Sequence, residues 1–251
     1  IFFSYIGFDA VSTAAEEAKD PGKDMPFGII MSLAICTVLY IALSAVMTGI
    51  APWQTLGTAE PMITALTFAD GPPRLLNASR FIISLGAVIA MFSVLLVFQL
   101  GQPRIFMSMS RDGLLPPFLA KVHPKFKTPY VGTILTGIFV GVFAAFANIA
   151  EVVDLTNIGT LFAFVLVSLG VIVLRYKEPE RVRPFRVPFV PWTPMISIVA
   201  CLYLMFKLPK VTWERFGIWL LVGLVIYFLY GVRHSRLRIK DAAEEAGKRG
   251  S

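Results

Sequence analysis

Phe2 to Glu17 reads FFSYIGFDAVSTAAEE, an apolar run interrupted where a membrane helix should be regular. Gly7 can take backbone angles that other residues avoid, and Asp9 places an ionisable carboxyl two residues later in a run otherwise fit for a bilayer. A broken helix beside a buried charge points to a transport site. Two plainer roles stand beside that one. Gly7 could serve close helix packing, and Asp9 could cap the helix that follows by accepting an orphan N–H.

The surroundings of this stretch are those of an all-α integral membrane protein. Of 251 residues, 56% are hydrophobic and only 16% charged, well below the roughly 25% charge of soluble domains. The net charge of +7 does not point to nucleic acid, because the basic residues lie in short blocks between apolar runs and form no basic stripe. Cys36 and Cys201 sit within apolar runs, spaced for neither a metal site nor a disulfide framework. His123 and His234 lie in or beside basic stretches, and no cluster has metal-ligand spacing. GxSxG and Walker sequences are absent too, so the sequence implies no cofactor, no metal and no enzyme chemistry.

The chain opens on Ile1, already apolar and without an initiator Met or a signal-peptide n-region, so a truncated chain is expected. A polar turn at Lys19–Asp24 precedes a second segment from about Pro26 to Ile50, long enough to cross the hydrocarbon core with Pro26 in its first turn. Ala51 to Arg80 reads as an external loop with short helical pieces, and Trp53 suits an interfacial anchor. Further segments are expected at about Phe81–Met109, Pro129–Ala147, Val152–Leu174, Trp192–Leu208 and Phe216–Val232. In the fourth segment Gly137 and Gly141 form a GxxxG pair that permits close helix approach. The fifth carries Asp154, Thr156, Asn157, Gly159 and Thr160 in its first half, groups that must face protein or water.

Alternating the segments across a membrane places 18 Lys and Arg on one side and five on the other. The positive-inside rule then puts the Glu17 end of the opening helix and the C-terminus in the cytoplasm. The charged stretch 241–251 reads as a flexible cytoplasmic tail.

Three motifs carry a family resemblance: FSYIGFDAVSTAAEEAKDPGKDMP at Phe3–Pro26, GQPRIFMSMSRDGLLP at Gly101–Pro116 and RPFRVPFVPWTP at Arg183–Pro194. In sequence and order they resemble the C-terminal part of an amino acid-polyamine-organocation (APC) superfamily permease, closest to bacterial relatives of the cationic amino acid transporters. The resemblance extends to about Lys240. It implies the leucine-transporter-type fold of two inverted five-helix repeats followed by two helices. On that pattern residues 1–176 are the second repeat, helices six to ten with the first incomplete, and 177–240 hold helices eleven and twelve with the loop before them. The first repeat would be missing, and with it half of a substrate site built at the repeat interface.

The same resemblance implies a multi-pass plasma-membrane transporter that takes an amino acid and protons by alternating access. Phe3 is similar to the aromatic gate over the substrate, and the backbone of Ser4, Tyr5 and Ile6 to the unwound strand whose carbonyls meet the substrate ammonium, with Gly7 permitting the unwinding. Asp9 falls where relatives carry an acidic residue implicated in proton-linked gating. Met91, in the segment matching helix eight, could line the side-chain end of the pocket and favour small neutral substrates over arginine, although Met is also ordinary core filler. Ser93 stands without a neighbouring hydroxyl, which favours proton over sodium coupling. Thr156, Asn157 and Thr160 could face the pathway or bond between helices. The competing expectations are an amino acid exchanger, a polyamine carrier, a polytopic membrane enzyme and a non-transporting scaffold subunit.

Overall fold

A computed structural model describes residues 1–58, 60–180 and 182–235, and every regular element among them is helical. The expected tail, 241–251, lies outside the described residues, as do Arg181, Arg236, Arg238 and Lys240 of the charge count. The elements are α1 (Phe2–Tyr5), a 3-10 run (Phe8–Glu17), α2 (Pro21–Ile50), α3 (Pro61–Thr67), α4 (Pro73–Arg111), α5 (Tyr130–Phe146), α6 (Ile149–Lys177), α7 (Trp192–Phe206) and α8 (Lys210–Ile226). A π-turn at Tyr227–Gly231 continues α8. Four helices, α2, α4, α6 and α8 with its π-turn, are long and apolar enough to span a membrane, and α5 and α7 are shorter apolar helices.

Several helices outrun their apolar cores. α2 starts at Pro21 and not at Pro26, because Pro21 takes the first helical position, where its missing N–H costs nothing. Asp24 reaches back to accept from the Asp20 N–H at 3.2 Å. Pro26 therefore lies inside the helix. α4 begins at Pro73, so the presumed loop to Arg80 is half helix, and it runs through Pro103 to Arg111. α8 likewise begins at Lys210, with Arg215 already helical.

The chain forms two compact units, Gly7–Gly101 and a second made of Ile1–Ile6 with the residues from Gln102 onward. In the second unit α6 is the centre. Its buried Ile158, Leu161 and Val165 pack against Cys201 and Met205 of α7, and the Ser168 hydroxyl donates to Ser197 at 3.2 Å. Trp213 of α8 donates its indole N–H to the Met205 carbonyl at 3.1 Å, and Phe162 meets Phe216 edge-on. Within the RPFRVPFVPWTP motif, Arg183 caps α6, its guanidinium donating to the carbonyls of Leu174, Glu178 and Pro179.

Close backbone approach occurs at Gly132 and not at Gly141 of the GxxxG pair. Nothing stands within 4 Å of where a Cβ on Gly141 would lie, whereas one on Gly132 would be 3.3 Å from Cβ of Pro103. The GQPRIFMSMSRDGLLP motif ends α4 in a Schellman cap. Gly113 is left-handed at φ 81°, the Leu114 N–H bonds the Met109 carbonyl and the Gly113 N–H bonds that of Ser110. The last helix end docks on this cap, and a Cβ on Gly113 would collide with the carbonyl of His234. Gly113→Ala is expected to lower stability by about 2–4 kcal/mol through left-handed strain and overpacking. Gly141→Ala should change it by less than about 1 kcal/mol, and thermal unfolding of the two variants in detergent compares them.

Candidate functional site

The break expected at Gly7 is present and has a defined geometry. α1 is a single turn, with the Ser4 N–H on the Ile1 carbonyl and the Ile6 N–H on that of Phe3, each at 3.1 Å. Ile6 then turns extended at φ −60°, ψ 135°, and Gly7 follows at φ 118°, ψ −16°. This pair approximates the central residues of a type II turn, whose second position needs positive φ and hence glycine. Helical structure resumes at Phe8 as a 3-10 run, with the Ala10 N–H on the Gly7 carbonyl at 3.0 Å.

Gly7 occupies the cap position of that run and no side chain caps it. Asp9 stands in the first turn, where a negative charge complements the amide dipoles. Its backbone carbonyl accepts from the Ser12 hydroxyl at 2.6 Å, and that of Ala10 accepts from Thr13 at 2.7 Å. Within the same unit, Gly7 faces α4: a Cβ there would lie 3.7 Å from the Phe98 ring. Met91 lies seven residues before Phe98 on α4, thus on the same helix face and about 10 Å along the axis. Met91 is largely exposed in this chain. The Ser93 hydroxyl donates back to the Ile89 carbonyl at 2.9 Å.

The second unit holds Phe3 to Ile6 together with α6. Phe2 meets Phe164 of α6 edge-on, ring centroids 6.3 Å apart, which fixes α1 against that helix and leaves Phe3 exposed. On α6 the Thr156 hydroxyl turns back to the Val152 carbonyl at 2.8 Å. Asn157 is different: its Oδ1 is buried without a hydrogen-bond partner among the described residues. Thr160, one turn further, is half-buried. Asn157, Leu161 and Phe164 recur at helical spacing on one stripe of α6, so the unpartnered amide shares a face with the residue that meets α1.

The candidates therefore divide, with Gly7, Asp9 and Met91 in one unit and Phe3 to Ile6, Thr156, Asn157 and Thr160 in the other. Two contributors went unmarked in the sequence, Phe98 beside Gly7 and Phe164 beside Phe2. Nothing in an apolar run sets one Phe apart from its neighbours.

The family model described as amino acid permease matches residues 1–230. The chain belongs to the amino acid permease family. A methylthioribose transporter of Bacillus subtilis (strain 168) is 51% identical over 237 residues, covering 94% of this chain and 50% of the relative. A branched-chain amino acid permease of the same organism is 50% identical over 238 residues, again 94% of the chain and 50% of the relative. A vacuolar cationic amino acid transporter of Arabidopsis thaliana is 41% identical over 182 residues, 72% of the chain and 30% of the relative. The chain spans about half the length of the two bacterial relatives. These relatives are transporters, not enzymes, and the family with the long apolar helices makes this a multi-pass membrane protein.

In this chain the break has a conformational cause, because the space beside Gly7 would admit a methyl group. Gly7→Ala is expected to cost about 1–2 kcal/mol from positive φ alone, lowering the melting temperature without opening a cavity. A melting temperature equal to the parent would show that the turn relaxes.

Proposed function

We propose that this chain forms the second repeat and the two trailing helices of a secondary active amino acid transporter working by alternating access. The observation that carries the proposal is the Ile6–Gly7 break in a chain matched along most of its length by the amino acid permease family. A backbone leaving helical register within an apolar segment presents carbonyls and N–H groups to a polar ligand. In this reading α1 to α6 are helices six to ten of the fold, with α3 as a short piece between the seventh and eighth. α7 and α8 are helices eleven and twelve. The protein lies in the plasma membrane with its C-terminus in the cytoplasm.

Recognition of the substrate ammonium falls to the backbone of Ser4, Tyr5 and Ile6, with Phe3 as the gate and Thr156, Asn157 and Thr160 along the pathway. The unpartnered Asn157 Oδ1 supports the last assignment, since a buried amide oxygen needs a donor and a substrate or a moving helix end can supply one. Asp9 couples transport to protons. Its place in the first turn after the break lets a change of charge act on the local backbone. In proteoliposomes of the complete transporter, Asp9→Asn should abolish the stimulation of uptake by an inward proton gradient while counterflow of preloaded substrate persists. Uptake that still follows the imposed pH gradient in this variant removes Asp9 from the coupling.

Met91 sets the side-chain end of the pocket and favours neutral amino acids, in keeping with the branched-chain amino acid permease among its relatives. A second substrate reading rests on the methylthioribose transporter. Labelled leucine, arginine and methylthioribose should be offered in parallel. The expected order is leucine first, with Met91→Ser raising arginine uptake relative to leucine about tenfold, the effect of roughly 1.4 kcal/mol. An unchanged ratio removes Met91 from selectivity, and uptake of methylthioribose alone replaces the substrate class.

A further inference from the structure

The C-terminal end of α5 and the first turns of α6 and α8 enclose a crevice of about 370 Å³ within the unit that follows Gln102. Its walls are apolar, with Phe143 and Phe146 from α5, Leu155 from α6 and Trp219 from α8. One edge is charged. Arg215 donates from a guanidinium nitrogen to a carboxylate oxygen of Glu151 at 2.8 Å, and the two side chains are 40% and 51% exposed. None of the candidate transport residues lines this space.

We propose that the crevice binds a membrane phospholipid whose headgroup carries both a phosphate and a primary ammonium. Three features select that occupant. First, the charged pair stands at helix ends: Glu151 is in the first turn of α6 and Arg215 in the second of α8. Membrane helices meet headgroups at this level, and a Trp ring suits it. Second, Leu155 lies one turn below Glu151 and Trp219 one turn below Arg215, so about 6 Å of apolar wall lies under each charge. A glycerol with its first methylenes matches that order of polar and apolar groups.

Third, the edge is charge-complementary to a zwitterion. The contact engages one nitrogen of Arg215 and one oxygen of Glu151, while a guanidinium has five N–H donors and a carboxylate two acceptor oxygens. An exposed ion pair of this kind contributes little by itself, so the two groups can share or exchange partners readily. Phosphate then takes guanidinium donors, and the ammonium donates to Glu151. A trimethylated ammonium has no N–H to donate, and an anionic headgroup would set two negative groups, its phosphate and Glu151, against the single cation Arg215. A free amino acid is also a zwitterion, but the exposed rings of Phe146 and Trp219 are left uncovered by it.

The test is native mass spectrometry of the full chain after delipidation and exchange into equal mixtures of phosphatidylethanolamine and phosphatidylglycerol with identical acyl chains. The expected result is retention of phosphatidylethanolamine over phosphatidylglycerol by about two- to fivefold, the range of an exposed charge contact. Glu151→Gln should bring the ratio near one, and Arg215→Gln should lower retention of both lipids. Leu155→Trp, which leaves the ion pair in place and fills the crevice, should reduce total retained lipid, and it decides the matter if the charge variants do not fold. Equal retention of the two lipids by the parent overturns the proposal, as does a Leu155→Trp variant that holds lipid like the parent. Displacement of the lipid by millimolar leucine would overturn it too, in favour of a second amino acid site. That outcome is separable from the proposed transport function, whose residues lie elsewhere.

Discussion

A peptide group in hydrocarbon has no solvent to bond, so its N–H and carbonyl must be satisfied by the chain itself. This requirement governs the chain. Its apolar segments become long helices such as α2, α4 and α6, and interruptions are confined to residues that need little repair. Pro26 and Pro103 each remove one donor, and the helices run on through them. Ile6 and Gly7 are of another kind, since two successive residues leave helical angles and the chain resumes as a 3-10 run. An irregularity of that extent persists inside a membrane where it meets protein or a polar ligand. The break is thus the chain's best candidate for recognition.

The same solvent argument explains how little of the protein is buried. Val38, Phe92 and Leu221 are all largely exposed, and lipid tails are as suitable for them as a protein core. Association therefore depends on shape and on a few polar contacts more than on hydrophobic burial. α6 shows the pattern. One stripe carries Ile158, Leu161 and Val165 into α7, a serine pair bridges the same interface, and the indole of Trp213 ties α8 to α7. Arg183 then closes the cytoplasm-facing end proposed for α6 by donating to the carbonyls of Glu178 and Pro179, which lie past the last helical turn, and by adding a donor to that of Leu174, which also accepts from the Glu178 N–H. The third family motif acquires its physical role from that bond.

Helical class and the position of the break were legible because each depends on local chemistry. Apolar runs of spanning length can satisfy the backbone in few ways, and glycine followed by an acid is conspicuous within one. Helix ends were less legible. Pro21 and Pro73 lie beyond the apolar core, in polar sequence that reads as loop, yet proline at a first helical position extends a helix into water. Contacts between distant segments left no local trace. GxxxG spacing drew attention to Gly141, whereas the close approach falls at Gly132 against Pro103. The pairing of Glu151 with Arg215 joins residues far apart in sequence, one expected in a turn and the other in a loop.

Three glycines show why residue type alone does not disclose a role. At Gly132 the backbone is helical, and what excludes a side chain is the neighbouring Pro103. At Gly113 both conditions apply, because φ is positive and the His234 carbonyl occupies the space of a Cβ. Gly7 has the angle without the crowding: Phe98 stands at ordinary van der Waals distance from where a Cβ would be. Packing thus accounts for Gly132 fully, for Gly113 in part and for Gly7 not at all. The close-packing role weighed for Gly7 in the sequence loses its basis on the α4 side, since the residue there would tolerate a methyl group. What remains is the need for positive φ, a need that exists only because the chain turns out of its helix at this point.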